Sequence, residues 1–295
     1  MPSRRRRRPW LTAVVLLAAF SLTVGAVVVA LDHLSTGPPP VQRCVAELGE
    51  QHYSLDPDQA ENVALFAGIA AERGLPPRAV TIAIATAMQE SRLRNIDYGD
   101  RDSLGLFQQR PSQGWGTEEQ VMDPVYATNA FYDGLLAVDG YQQMEVTVAA
   151  QAVQRSAFPD AYAQHEQMAR AFASGLTGQT PAGISCTLAE LETDEASLLP
   201  LAEEIEEILR RDLPSVVLDA AAEQFLILDA TGLGADPADA DPAAWAVGQW
   251  AVATAYRTGA SEVVVDGHRW ERGNDAWTAI APDDEPLPAG HVLVR

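Results

Sequence analysis

The chain has only two cysteines, Cys44 and Cys186, about 140 residues apart. A bond between them would make everything in between fold as one closed loop. In the chain-entropy picture such a closure contributes roughly 5 kcal/mol before strain is deducted. Whether it forms depends on the redox compartment, and the N-terminus bears on that. Arg4 to Arg8 form a block of arginines, and Trp10 to Leu31 is a stretch of 22 residues without a charge. As a helix that stretch is roughly 33 Å long, enough to cross the hydrocarbon core of a bilayer. The arginine block then stays on the cytoplasmic side and the rest lies outside. A cleaved signal peptide is the rival reading, but its apolar stretch is usually shorter, and no persuasive small-x-small cleavage site precedes Asp32. Both readings put the body of the chain outside the cytoplasm, where the two cysteines can pair; the alternative is two buried free thiols. The expected localisation is the cell membrane, single-pass, N-terminus cytoplasmic and remainder extracytoplasmic.

Composition sets further bounds. A hydrophobic share of 47% supplies a packed core and excludes disorder throughout. Two cysteines exclude a disulfide-dense scaffold, and with five scattered histidines no metal site is expected. All 20 basic residues are arginine, and the net charge is −21. Without the block at Arg4 to Arg8 it is −26, which argues against nucleic acid as a partner. A lone span encloses no transport path. Five segments follow: a basic tail over 1–9, the expected transmembrane anchor over 10–31, a linker over 32–43 containing Gly37-Pro38-Pro39-Pro40, a unit over 44–186, and a second over 187–295.

The unit over 44–186 reads as mainly α. Asp56-Pro57 is an N-cap followed by proline at the first helical position, and Gly74 is a fitting stop. Pro76-Pro77 starts a new element whose run Ala79 to Met88 is apolar nearly all round, the mark of a buried helix. Asp123-Pro124 opens another helix to about Val138, and further helices are expected over about 145–155 and 159–174. No strong period-2 run appears here.

The informative point is the end of the buried helix, Gln89-Glu90-Ser91. A carboxyl at the edge of an apolar wall is poorly solvated when charged. Its pKa rises, which suits a general acid working near neutral pH. The competing reading is an ordinary surface glutamate paired to Arg92 or Arg94. A polar loop with Asp97, Asp100 and Asp102 follows, then Ser103-Leu104-Gly105-Leu106-Phe107-Gln108.

These residues carry a resemblance. Glu90-Ser91-Arg92-Leu93 followed by Ser103 to Gln108 resembles the lysozyme-like fold of soluble lytic transglycosylases and goose-type lysozymes, which read Glu-Ser, a gap, then Ser-x-Gly-Leu-x-Gln. Asp123-Pro124, with Asn129 leading into Phe131 and Tyr132, resembles the next segment of that group. Ala149 to Gln154 falls where the group usually carries Ala-Tyr-Asn-Ala-Gly. The Tyr-Asn pair is missing, and Gln151, Gln154 and Ser156 are the polar groups available instead. The run from Tyr98 to Gly116 also resembles an actinobacterial set of secreted or anchored lysozyme-like proteins, and the all-arginine composition suits a GC-rich genome. The resemblance covers about half the chain.

It implies cleavage of peptidoglycan between N-acetylmuramic acid and N-acetylglucosamine, with Glu90 as general acid and then base, and no cofactor. In a hydrolase a second carboxylate is wanted; Asp97, Asp100 and Asp102 are nearest in sequence, with a plain polar turn as their other reading. Candidate substrate-binding residues are Ser91, Ser103, Gln108, Gln109, Trp115, Asn129 and Gln154. Tyr98, Phe107, Phe131 and Tyr132 are aromatic candidates, and His165 reads as structural.

Residues 187–295 read as a small acidic α/β unit with net charge −16. An acidic helix comes first. A strand at Phe225 to Leu228, a helix opened by Asp241-Pro242 and stopped at Gly259, and strands around Val263 to Val265, Trp277 to Ile280 and His291 to Val294 follow. Trp270 and Trp277 are either core or a binding surface. Besides the enzyme, two other readings stand: a non-catalytic wall-binding or envelope scaffold protein, and a regulatory or assembly protein working through its acidic domain. Protein partners are left open.

Overall fold

The computed structural model describes residues 23–27, 41–156, 158, 160–191, 198–222, 225–233, 240–280 and 287–295. The basic tail, most of the expected span over 10–31 and most of the linker lie outside them. The described part of that span, residues 23–27, is one short stretch of helix. Among the described residues no helix is long and apolar enough to cross a membrane. The expected N-terminal transmembrane helix is corrected on that ground: the described fold is helices combined with antiparallel sheets.

Residues 41–295 form one compact unit. It opens with two strands, β1 (Arg43–Leu48) and β2 (Gln51–Leu55). They are joined through a turn at Gly49, whose φ of +62° suits glycine. Helix α1 (Pro57–Glu72) starts where Asp56-Pro57 predicts, with the Asp56 N–H donating to Gln59 Oε1 at 2.8 Å. Helix α2 (Pro77–Ser91) starts on its proline and ends where Arg92 turns left-handed, at φ 56°. The short α3 (Glu118–Met122) hands over to α4 (Pro124–Leu136), where the Asp123 carboxylate accepts from the amides of Val125 and Tyr126. Helices α5 (Val146–Gln154) and α6 (Glu166–Leu176) follow.

Strand β3 (Ile184–Thr187) returns to β1, giving a small antiparallel sheet in the order β2-β1-β3. Cys44 pairs with Cys186 in the β1–β3 register, and their disulfide closes the long loop. The sequence reading contained none of these three strands.

Beyond β3 come α7 (Leu198–Asp212), β4 (Val217–Ala222), β5 (Phe225–Asp229), α8 (Ala240–Thr258), β6 (Glu262–Val265), β7 (His268–Glu271), β8 (Thr278–Ala279) and β9 (His291–Val294). The strands form an antiparallel sheet in the order β4-β5-β9-β6-β7-β8. Asp266 and Gly267, both at positive φ, make the β6–β7 turn. Helix α8 packs on α1, α6 and β3 as well as on its own sheet. Trp270, fully buried, donates to the Cys186 carbonyl, and Trp277 donates to that of Ile184. Both tryptophans are therefore seams between the two sheets.

Candidate functional site

The site is built on the last turn of α2. Ala79, Val80, Ile82 to Ala85 and Ala87 are all buried. They fix the helix so firmly that its final residues are presented at a defined place on the surface. Two consecutive left-handed residues, Arg92 (φ 56°) and Leu93 (φ 58°), end the helix abruptly, and Leu93 is buried beneath it. Arg94 is drawn away to Asp56 and Asp58 on the start of α1. Glu90 is thus not clamped by a neighbouring arginine.

The Glu90 carboxyl is half-buried. The Tyr162 hydroxyl donates to its Oε1 at 2.6 Å, and the Gln154 amide also hydrogen-bonds to it. Burial raises its pKa above the ordinary 4.5, and the two hydrogen bonds favour the carboxylate and offset part of that rise. Tyr162 is itself fully buried, and burial together with the Glu90 carboxylate raises its own pKa. It is a neutral donor at physiological pH. Beside Glu90, Gln89 Oε1 accepts from Gln164 Nε2 and from His165 Nε2. Burial lowers the His165 pKa, keeping the ring neutral near pH 7.

Glu90 lies on the wall of an open cavity of about 490 Å³. Of the residues that the sequence points to, Ser103, Gln108, Trp115 and Gln154 line the same cavity. The segment 103–110 reaches it by a tight turn. Leu104 and Gln109 exchange both backbone hydrogen bonds, at 3.0 Å each. Gly105 (φ +77°) sits where a Cβ would come within 2.3 Å of the Val121 carbonyl. The Gln108 amide is aimed back at the carbonyls of Tyr98 and Gly105. Gly99 lies under Gln108 and close to the turn, where a Cβ would come within 2.6 Å of the Ser103 carbonyl. Gln154, at the end of α5, donates to the Phe107 carbonyl at 2.8 Å and so joins this turn to Glu90. Trp115 packs close to α4, where a Cβ on Gly134 would lie 3.5 Å from its ring.

Three of the sequence candidates for substrate binding are placed elsewhere. Ser91 is buried, and its hydroxyl donates to the Leu106 carbonyl at 2.7 Å, which ties the helix end to the turn. Gln109 is buried and donates to the Ala127 carbonyl. Asn129 donates to Val125 O on its own helix and accepts from Arg73 at 2.9 Å. None of the three lines the cavity; Ser91 and Gln109 hold the turn beside it, and Asn129 ties α4 to Arg73. Phe107 is fully buried between Phe66 and Phe131, stacked on the latter at 4.5 Å, and Tyr132 is buried with its hydroxyl on the Phe66 carbonyl. These aromatics are core. Tyr98 is exposed and outside the cavity lining.

The acidic loop divides in the same way. Asp102 accepts from Arg110 Nε at 2.8 Å and from both the amide and hydroxyl of Ser112, which hold its pKa below the usual carboxylate range. It is a turn anchor. Asp97 is exposed and away from the cavity; Asp100 lines it with its side chain 89% exposed, 3.9 Å from Arg101. Among the described residues no cluster of His, Cys, Asp or Glu is arranged to hold a metal ion.

Sequence reasoning missed Tyr162 as a partner of Glu90, and Arg155 and Phe158 on the cavity wall. Tyr162 is 72 residues from Glu90 in sequence, so no local pattern signals the pair; Arg155 directly follows the candidate Gln154. A half-buried acid beside a neutral phenol, an amide and an indole, on an open groove, can deliver a proton to a polar bond of an extended, hydroxyl-rich ligand. A comparison with models of protein families finds no match to this chain, and a comparison with curated proteins finds none either.

Proposed function

We propose that the Glu90 cavity cleaves the glycan strand of peptidoglycan at the bond from N-acetylmuramic acid to N-acetylglucosamine. The observation that carries this reading is the Glu90 carboxyl itself: half-buried, raised in pKa, and open to a groove walled by Gln108, Gln154 and Trp115. The disulfide Cys44–Cys186 is in keeping with work in an oxidising space outside the cytoplasm. The resemblance of the Glu90-Ser91 and Ser103 to Gln108 motifs supplies the substrate class.

In this mechanism Glu90 gives its proton to the glycosidic oxygen as the bond from the muramyl anomeric carbon breaks. The carboxylate left behind is stabilised by the Tyr162 hydroxyl and the Gln154 amide. It then takes a proton from the muramyl 6-hydroxyl, whose oxygen closes on the anomeric carbon and yields a 1,6-anhydro sugar. The other carboxylate on the cavity, Asp100, is well exposed and next to Arg101. That setting suits it poorly as the nucleophile or base that a hydrolase needs, and it favours the intramolecular route.

The test is digestion of purified cell walls by the full chain. Soluble muropeptides ending in anhydro sugars are expected, one water lighter than hydrolytic products by mass spectrometry. Glu90→Gln is expected to reduce release at least about 100-fold, the usual scale for loss of general acid catalysis, with an unchanged circular dichroism spectrum. Wall binding without release, indifferent to Glu90→Gln, would instead support the scaffold reading, which draws on the missing Tyr-Asn pair and on the segment that follows residue 186.

A further inference from the structure

A second cavity, of about 530 Å³, adjoins the Glu90 cavity along the same wall. The two share Gln113, Trp115, Gln154 and Arg155. The rest of the second lining is Gly134, Ala137, Ala152 and Val153, all small or aliphatic. Among the described residues on that lining Arg155 is the only charged group.

The arginines of this region differ in what holds them. Arg110 is bonded to Asp102, and Arg101 faces Asp100. Arg155 is exposed and has no ion pair or side-chain hydrogen bond among the described residues. Its backbone is left-handed, at φ 53°, just after α5. Glycine or asparagine takes that conformation at lower cost. A guanidinium at the junction of two cavities with no anionic partner among the described residues, in a chain of net charge −21, is an anion-binding group open to a ligand.

We propose that Arg155 determines specificity by binding a carboxylate on the peptide arm of the glycan strand, with the second cavity receiving that arm. The inference rests on the glycan reading of the Glu90 site. The planar fork of arginine matches a carboxylate in two parallel hydrogen bonds. The small side chains of the second cavity leave room for alanine-sized peptide residues branching from the strand. A neutral polysaccharide offers Arg155 no partner.

The experiment uses the full chain carrying Glu90→Gln, so that binding is read without cleavage. The probe is cell-wall sacculi stripped of phosphodiester polymers with hydrofluoric acid, either native or with carboxyls capped as methylamides. Arg155→Asn removes the charge while tolerating the left-handed backbone, and Arg155→Lys keeps the charge. Arg155→Asn is expected to weaken co-sedimentation with native sacculi about tenfold, the scale of one charge-assisted contact. Arg155→Lys should recover part of the loss, and on capped sacculi the Arg155→Asn variant and its parent should bind equally. Equal binding of the two on native sacculi overturns the proposal, as does a loss that persists on capped sacculi. A difference seen only before the acid treatment also overturns it, and identifies a phosphate as the ligand. If the chain with Glu90 intact releases no muropeptide, the cleavage reading fails separately, and the binding comparison still decides the role of Arg155.

Discussion

Glu90 holds its proton to higher pH than an ordinary glutamate because the apolar end of α2 desolvates it more than Tyr162 and Gln154 stabilise its charge. On the proposed mechanism the acid works when protonated, so cleavage of walls should fall as pH rises through the raised pKa. That limb is expected to lie above 4.5, the ordinary value, in a pH–rate profile of release. Stability follows the same sign. A folded pKa above the unfolded one contributes stability that is fully present below the unfolded value and is lost as pH rises through the folded value. Glu90→Gln should therefore melt at or above the wild-type temperature at pH 7, and the gap should close on acidification. Tyr162→Phe deletes a hydrogen bond that favours the carboxylate. It should move the limb to still higher pH and slow release about tenfold, since a hydrogen bond to a charged group contributes ~1.5 kcal/mol or more. A purely structural role for Tyr162 would lower stability and leave the limb where it is.

Ser91 and the turn over 103–110 act as one element. The Ser91 hydroxyl bonds the Leu106 carbonyl inside the protein, and the turn it holds carries Gln108 to the cavity and Phe107 into the aromatic stack. Ser91→Ala leaves a buried carbonyl unsatisfied and should cost about 1–3 kcal/mol in denaturant unfolding. Release should drop as well, through kcat more than KM, because the misplaced part is the wall around the acid. An unchanged melting curve for Ser91→Ala would falsify this account of the turn. Much of this element is legible in sequence, since capped helix starts and glycine-marked turns are local chemistry. The direction of Ser91 is not: helical spacing alone does not say which neighbour its hydroxyl meets.

At the scale of the molecule, the segments before and after β3 share interior surface. Gly68 of α1 is packed so closely on the end of α7 that a Cβ would lie 2.6 Å from the Asp212 carbonyl. Asp212 is fully buried, bonded to Arg211 and to the Trp250 indole, and Gln249 of α8 bridges Ile184, Gly175 and Thr180. Burial raises the Asp212 pKa while Arg211 and Trp250 oppose the rise. A fragment ending at Leu191 loses α8 from the faces of α1 and α6. It should bind a hydrophobic dye and melt without a cooperative transition, whereas residues 41–295 should melt cooperatively. The disulfide belongs to this scale too. Reducing it, or Cys44→Ser, should lower stability by up to roughly 5 kcal/mol, the loop-closure value for so long a loop, read as a fall in the melting temperature.

The amino-acid order by itself determined where three helices begin, because Asp56-Pro57, Pro76-Pro77 and Asp123-Pro124 satisfy or remove backbone donors within a few residues of where they stand; α6, expected from about residue 159, begins only at Glu166, and Asp241-Pro242 falls in the first turn of α8. It also marked Glu90 as an acid on an apolar helix, a property of its own ten preceding neighbours. Only the tertiary structure decided what surrounds that acid. Tyr162 lies 72 residues away in sequence, Arg155 arrives at the end of α5, and the short strands β1 to β3 acquire their pairing only when Cys186 returns to Cys44. Those contacts depend on which buried faces meet, and a periodic pattern along one segment says that a face is apolar without saying what it will lie against.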